Sequence, residues 1–196
     1  DPSYHGAIWT EAVKPLGPIA FILKARVTLL RDIGGAMSPF NAFQFIQGLE
    51  TLPLRIREQC KNAKLVAEYL SSLKSVSKVI YPSLFTGENR KRVNTYLDNN
   101  NFGALVGFEI DGGIEIGKKF INSLKLFYHV ANIGDTRSLA IHPASTTHSQ
   151  LSEEDKLRAG VNNSYIRLSI GIEHIEDIIN DLDNALNKAT TSIKAA

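Results

Sequence analysis

Apolar residues in the first third of the chain recur at helical spacing after an irregular opening. Residues 1–18 contain three prolines and two glycines, a composition typical of loops. From Ile19 onward the apolar positions fall mostly on one face at a period near 3.6, which predicts a helix that ends close to Gly34. The chain is therefore predicted to open with a loop and a helix.

A second helical stretch is predicted to begin at Ser38 and Pro39. The serine hydroxyl can cap free backbone N–H groups, and proline already has the backbone angle of a first helical turn. A bend is expected near Pro53, before helix resumes through about Leu73. The apolar positions of this stretch have helical spacing, which predicts core residues rather than a cofactor-binding cluster; they are Phe40, Phe43, Phe45, Ile46 and Leu49.

Beyond Leu73 short strand-like runs alternate with helical runs. The run 103–110 is apolar almost throughout, which is typical of a buried strand. The other predicted strands are 76–81, 127–131, 139–141 and 165–170, and the predicted helices are 114–124 and 175–188. The pattern predicts a small α/β unit behind a long helical lead-in.

The charge balance argues against nucleic acid and membrane partners. Lys plus Arg number 22 against 20 for Asp plus Glu, a formal net charge of +2, and no basic stripe is interleaved with aromatics. No apolar run approaches the ~20 residues that span a bilayer. The opening residues also lack the charged and apolar regions of a signal peptide. We therefore expect neither partner.

The single cysteine, Cys60, indicates a reducing, cytoplasmic setting. It cannot form an intrachain disulfide and has no second thiol with which to build a metal site. Its helical surroundings favour a structural thiol over a nucleophile. The chain begins without Met and reads like the middle of a loop, so we expect a fragment or one piece of a nicked protein.

Arg167 is the first candidate for chemistry. In the predicted strand 165–170 it shares one side with Tyr165 and Ser169, while the apolar residues face the other way. A guanidinium stays charged at ordinary pH and can donate two parallel hydrogen bonds to a carboxylate. From the spacing alone, a partly exposed strand arginine paired with an acid such as Glu173 is the favoured interpretation.

The second candidate is the segment 132–148, which is dense in small polar residues between two predicted strands. His142 and His148 lie in it, but no Cys or acid at ligand spacing completes a metal site, so no metal is expected. A triad of Ser138, His142 and Asp135 could be drawn on paper. Proximity in sequence does not establish that geometry, and no Gly-x-Ser-x-Gly elbow is present.

These segments resemble the Cys/Met-metabolism family of pyridoxal-phosphate enzymes. The resemblance covers nearly the whole chain, with the motifs in the order and spacing of the family's C-terminal signature. The branch that it resembles most is O-acetylhomoserine sulfhydrylase. The motifs are Pro2-Ser3-Tyr4-His5-Gly6, Ser38-Pro39-Phe40-Asn41-Ala42-Phe43, Gln47-Gly48-Leu49-Glu50-Thr51-Leu52, Asn132-Ile133-Gly134-Asp135, Ser138-Leu139, His142-Pro143-Ala144-Ser145-Thr146-Thr147-His148 and Ile166-Arg167-Leu168-Ser169-Ile170-Gly171-Ile172-Glu173.

The resemblance implies the C-terminal part of a fold-type-I transferase, an α/β fold. Residues 1–60 would end the large cofactor domain and include the linking helix, and residues 61–196 would form the C-terminal α/β domain. Arg167 would hold the substrate α-carboxylate, the main chain of Ser138 would help to seat it, and Asn132 would lie nearby. The Schiff-base lysine of the family sits in a Ser-x-Thr-Lys segment, which this chain lacks.

The activity implied is γ-replacement on O-acetyl-L-homoserine, with sulfide replacing acetate to give homocysteine. The cofactor implied is pyridoxal 5′-phosphate, and the implied partners are a small-molecule substrate, the upstream half of the same enzyme and further subunits, as in a homotetramer. No catalytic residue is expected in this chain, because the lysine lies upstream. The alternatives are cystathionine γ-synthase, a γ-lyase, or a catalytically inactive interaction domain.

Overall fold

A computed structural model describes residues 1–97 and 101–191 of the chain. The chain divides into two units, Asp1–Glu50 and Thr51–Ala196. The division comes before the predicted domain boundary at residue 60, which falls inside the helix Leu52–Ser71. The assignment of these parts to the two domains of a larger enzyme stays a prediction.

The first unit is mostly helical. Its helices are α1 (Trp9–Ala12), α2 (Ala20–Lys24), which continues through a π-helical segment (Ala25–Leu30) into α3 (Arg31–Ile33), and α4 (Pro39–Glu50). The predicted helix from Ile19 is confirmed, and it ends at Gly34, whose φ of 72° favours glycine. The cap is confirmed as well, since Asn41 donates its backbone N–H to Ser38 Oγ at 3.2 Å.

The apolar faces of this unit lie in the open. The only buried hydrophobic residue described between Asp1 and Glu50 is Val13. The prediction that the aromatic residues of α4 form a core is therefore wrong for the chain as described, because helical spacing gathers them on one face but supplies nothing to cover it. The large apolar residues exposed here include Phe21, Ile22, Leu29, Ile33, Phe40, Phe43, Phe45 and Leu49.

The second unit is built on a five-stranded sheet. Its strands are β1 (Val76–Ile80), β2 (Leu105–Ile110), β3 (Tyr128–His129), β4 (Leu139–Ile141) and β5 (Tyr165–Ser169). They lie in the order β1-β2-β5-β4-β3, antiparallel except for the parallel pair β3 and β4. All five predicted strands are confirmed, with ends shifted by a few residues. The fold class is therefore mixed α/β, as predicted.

The helices of this unit include α5 (Leu52–Ser71), α6 (Gly87–Tyr96), α7 (Gly113–Ser123), α8 (Glu153–Arg158) and α9 (Ile175–Thr190). Three of them pack on one face of the sheet. The core is formed by α5, α7 and α9 packed on the alternate residues of the two central strands, Val106, Phe108 and Ile110 of β2 and Ile166 and Leu168 of β5. The sequence did not predict α6 and α8. Within the described residues, no helix is both long enough and apolar enough to span a membrane.

Candidate functional site

Arg167 lies in the middle of β5, on the sheet face opposite the helices. Its strand partners are Gly107 of β2 and Ile141 of β4. Gly107 is required by a close approach, because a Cβ there would lie 2.8 Å from the ring and hydroxyl of Tyr165. The phenol of Tyr165 therefore lies over the backbone of the neighbouring strand, on the same face as Arg167. Desolvation raises the pKa of this phenol, so it remains a neutral neighbour at ordinary pH.

The guanidinium of Arg167 is held by backbone carbonyls and has no counter-ion among the described residues. Nη2 donates to the carbonyl of Ala131 at 3.2 Å and approaches that of Asn132 at 3.5 Å. Nε is buried and has no partner among the described residues. No described acid forms an ion pair with Arg167. Since a guanidinium is always charged, this site presents an uncompensated cation.

The partner that the sequence suggested for Arg167 is engaged elsewhere. Glu173 accepts the backbone N–H of Ser138 at Oε1, 2.6 Å away, and its hydroxyl at Oε2, 2.9 Å away. The interpretation of Arg167 as a strand arginine paired with Glu173 is therefore not what the geometry gives. The guanidinium donors that no described residue accepts could bind an anion.

Ser138 is fully buried, and all its polar groups are used. Besides the two bonds to Glu173, its hydroxyl accepts the N–H of Gly171 at 2.9 Å, and its carbonyl accepts the N–H of Tyr128 at 3.0 Å. Ser138 directly precedes Leu139, which pairs with Ser169 rather than Arg167. The structure thus brings Asn132 against Arg167 and places Ser138 behind them, in the hydrogen bonds that hold the loop.

Residues 131–138 form the loop that connects β3 to β4, named loop 131–138. Gly134 donates its N–H to Ser169 Oγ at 3.0 Å, and the amide of Gln59 donates to the carbonyl of Asp135 at 2.6 Å. The carboxylate of Asp135 accepts the N–H of Arg137 at 3.0 Å, and that contact is the main cause that lowers the pKa of Asp135. Several bonds from β5 and α5 therefore fix this loop.

The catalytic triad of Ser138, His142 and Asp135 that could be drawn from the sequence is not formed in the structure. His142 is buried, with Nδ1 2.8 Å from Ser145 Oγ and Nε2 3.0 Å from the carbonyl of Asn163. Both ring nitrogens thus have partners outside that set. Among residues 1–97 and 101–191, no cluster of three or more His, Cys, Asp and Glu side chains could hold a metal ion.

Sequence reasoning missed two polar residues of α5 that support the site. Gln59 and Asn62 are buried, and Asn62 Nδ2 donates to the carbonyls of Gly171 at 3.3 Å and Glu173 at 3.0 Å. Both residues sit in the helix among the apolar positions that face the core. That signal was present in the sequence, since amides on the apolar side of a helix need buried partners.

Comparison with known proteins identifies the class of this fold and site. A family model described as Cys/Met metabolism PLP-dependent enzyme matches residues 6–187, and the chain belongs to that family. Within the family it is similar to the O-acetyl-L-homoserine sulfhydrylase of Leptospira meyeri, with 52% identity over 95% of this chain and 43% of that protein. O-acetyl-L-homoserine sulfhydrylase 1 of Thermus thermophilus is 47% identical over 94% of this chain and 43% of its own length.

A solved structure agrees with these relatives. A putative O-acetylhomoserine (thiol)-lyase from Campylobacter jejuni, described with a pyridoxyl-lysine monophosphate, superposes with a TM-score of 0.80 at 41% identity, over 95% of this chain and 43% of that one. The chain thus spans less than half the length of the relatives it matches. Their membership of one family makes pyridoxal phosphate the cofactor of the class to which this chain belongs.

The chemistry of the described residues offers a site for an anion more readily than a lysine for the cofactor. A Schiff base requires a free amine, and the lysine described as buried, Lys156, is paired with Glu153 at 2.8 Å. The sequence also contains no Ser-x-Thr-Lys segment. The uncompensated cation of Arg167, in contrast, suits a carboxylate.

Proposed function

We propose that this chain is the C-terminal, substrate-carboxylate-binding part of an O-acetylhomoserine sulfhydrylase, which makes homocysteine and acetate from O-acetyl-L-homoserine and sulfide. The observation that carries the proposal is Arg167, a partly exposed cation in the middle of β5 whose Nε is buried and has no partner among the described residues. The named relatives support the choice of substrate.

Arg167 is proposed to hold the α-carboxylate of the amino-acid substrate by charge-assisted hydrogen bonds. Its Nη2 is fixed by the carbonyls of Ala131 and Asn132, so the guanidinium offers its other donors in a defined direction. Asn132 is proposed to line the same site. The main chain of Ser138 was predicted to help seat the carboxylate. Its N–H is donated to Glu173, so we propose that Ser138 contributes through the loop.

The chain contributes orientation to the reaction. Pyridoxal phosphate, when bound, supplies the electron sink that makes removal of the substrate protons feasible. Arg167 fixes the carboxylate, so the bonds to be broken keep one direction in the site, which lowers the entropic cost of reaching the reactive geometry.

We also propose that residues 1–60 end the large cofactor domain of that enzyme and that its upstream half or a further subunit, as in a homotetramer, covers the apolar residues of the first unit. The support is their exposure, 85% for Phe21 and 67% for Phe40. A cytoplasmic setting is proposed from the buried lone thiol of Cys60, whose pKa burial raises. The intact mass of the native polypeptide tests this part, with more than twice the mass of this chain expected.

The activity test uses the full-length enzyme with O-acetyl-L-homoserine and three conditions. Homocysteine formed with sulfide supports the proposal. Cystathionine formed preferentially with cysteine, or an elimination product formed without a nucleophile, would assign the chain to the alternative reactions of the family. No product under any condition would leave an inactive interaction domain. This chain alone is expected to lack the yellow absorbance of a lysine-bound cofactor.

A further inference from the structure

Glu173 and Ser138 join the end of β5 to the loop that holds Arg167. We infer that Glu173, Ser138 and Gly171 form a positioning clamp, which fixes loop 131–138 so that its carbonyls aim the guanidinium of Arg167 at the substrate. Glu173 would then be a positioning residue for the reaction although it touches no substrate. The inference rests on the proposed function, because the proposed function assigns the carboxylate to Arg167.

The clamp is a closed set of hydrogen bonds. Both oxygens of Glu173 accept from Ser138, at 2.6 and 2.9 Å, and the hydroxyl of Ser138 accepts from Gly171 at 2.9 Å. The serine hydroxyl therefore has a fixed orientation, with one bond donated and one accepted. Because Ser138 is fully buried, water cannot replace a lost partner without rearrangement.

Helix α5 also stabilises the clamp. Asn62, itself fully buried, donates to the carbonyls of Gly171 and Glu173, so the backbone on both sides of Ile172 is fixed to the core. The N–H of Ile172 in turn reaches the carbonyl of Thr136 at 2.9 Å. The end of β5 and loop 131–138 are thus tied both by backbone and by the carboxylate.

Close approach at Gly171 shows how little room the clamp leaves. A Cβ at this position would lie 2.6 Å from the carbonyl carbon of Arg137, and it would also collide with Glu173 Oε2 and the carbonyl of Thr136. Loop and strand end are therefore in backbone contact, and a shift on one side is transmitted to the other.

The start of loop 131–138 is the part of the loop that contacts Arg167. The protein groups that accept from Arg167 are the carbonyls of Ala131 and Asn132, at the start of the same loop. In the clamp, Glu173, the acid nearest to Arg167 in the sequence motif, accepts its hydrogen bonds from neutral donors. It thereby leaves the charge of Arg167 uncompensated while it holds the residues that orient it.

The test uses the full-length holoenzyme with Glu173→Gln and Ser138→Ala. The glutamine side chain retains one acceptor but loses the charge and the second acceptor, so we expect the KM for O-acetyl-L-homoserine to rise about tenfold, the factor that corresponds to ~1.4 kcal/mol. The KM for sulfide and the cofactor absorbance should not change. Amide hydrogen exchange should become faster at Gly134, Arg137 and Ser138.

Tyr81→Phe is the matched control. It removes the hydrogen bonds of a fully buried phenol to the carbonyls of Gly103 at 3.0 Å and Cys60 at 3.4 Å, neither of which belongs to loop 131–138. It should lower the melting temperature without moving the KM for O-acetyl-L-homoserine or the exchange of the loop amides. A purely structural Glu173 would behave in the same way as this control, and that result would overturn the clamp.

Failure of the proposed function would look different. A wild-type holoenzyme that does not turn over O-acetyl-L-homoserine overturns the proposed function, and the exchange comparison between the Glu173→Gln and Tyr81→Phe variants still decides whether Glu173 fixes the loop. Unchanged exchange at Gly134, Arg137 and Ser138 in the Glu173→Gln variant overturns the clamp, whatever the enzyme turns over.

Discussion

In the second unit of the chain, Phe108, Ile166 and Leu168 are completely buried between sheet and helices, whereas in the first unit Phe21 and Phe40 expose 85% and 67% of their surface. Both units have strongly patterned apolar residues. Only the second contains elements that can close over its own pattern. An apolar stripe therefore predicts a face that needs a cover, and the cover has to be identified separately.

The largest expected effect separates the units physically. A chain of residues 51–191 should fold cooperatively, because its core is complete, while a peptide of residues 1–50 should not, because Val13 is the only hydrophobic residue described as buried within it. Thermal unfolding followed by circular dichroism checks both. A sharp transition in the 1–50 peptide, with monomeric behaviour in sedimentation, would remove the contrast between the units.

The second expected effect concerns the role of Arg167 in the second unit. In the full-length enzyme, Arg167→Ala should lower kcat/KM for O-acetyl-L-homoserine roughly tenfold to hundredfold, since loss of a hydrogen bond to a charged group costs on the order of 1.5–3 kcal/mol. The cofactor absorbance should be retained. Arg167→Lys should rescue only part of the loss, because an ammonium keeps the charge but not the planar fork.

Arg137→Ala is a useful companion to that variant. Arg137 is an exposed arginine that stacks over Tyr128 at 4.5 Å and pairs with Asp135 in the same loop. Arg137 has a counter-ion, whereas Arg167 has none among the residues that the structure describes, so removing Arg137 should change kcat/KM far less. Equal losses in the two variants, or near-normal kcat/KM after Arg167→Ala, would return Arg167 to a structural role.

The sequence predicted the parts of the fold that depend on local pattern. The Ser38 cap and the strand Leu139–Ile141 both lie where predicted, because a cap and a run of apolar residues are local signals. Helix α6 was missed because Val93 is its one buried residue among those described, so it has no apolar stripe. Helix α8 is six residues long, too short for an apolar period, although its cap, Ser152 accepting from Asp155, and its acidic first turn mark its start.

The site also has one part that is encoded locally in the sequence and another that depends on contacts between distant residues. The alternation of its own strand, a local pattern, marked Arg167 as a candidate, and the resemblance to the family supplied its expected role. The bonds between Glu173 and Ser138 join residues 35 positions apart, and those of Asn62 reach over more than 100 positions. No periodicity encodes such pairings, because they depend on how the strands are ordered in the sheet. Sequence reasoning therefore found Arg167 and, through the family resemblance, Asn132 and Ser138, but it missed the bonds of Gln59, Asn62 and Glu173 that fix the loop.

A third, smaller effect compares one glycine from each unit. Gly171→Ala should destabilise the second unit by about 1–3 kcal/mol, since the added Cβ meets backbone atoms that cannot move aside. Gly48→Ala, in helix α4, has open space around its Cβ and should stabilise that helix by roughly 0.5–1 kcal/mol. Denaturant unfolding of the second unit and the helix content of the first measure the two. The same sign in both would contradict the difference in packing.

The smallest expected effect is the pH dependence that His142 gives to the second unit. Desolvation is the main cause that lowers the pKa of His142, and the charges of Lys118 and His129 add to it, while the hydrogen bond to the carbonyl of Asn163 opposes it. Below an unfolded pKa of about 6.5 the unfolded chain binds a proton that the folded chain resists, so the free energy of unfolding falls as the pH drops through that value. One proton limits the slope to ~1.4 kcal/mol per pH unit.

Denaturant unfolding between pH 8 and pH 5.5 should show a shallower slope in His142→Gln than in the wild type. The control variant is His5→Gln, which alters an exposed histidine of the first unit. An unaltered slope in His142→Gln would mean that the buried imidazole accepts its proton in the folded state, and that this site is less closed than its packing against Gly117 indicates.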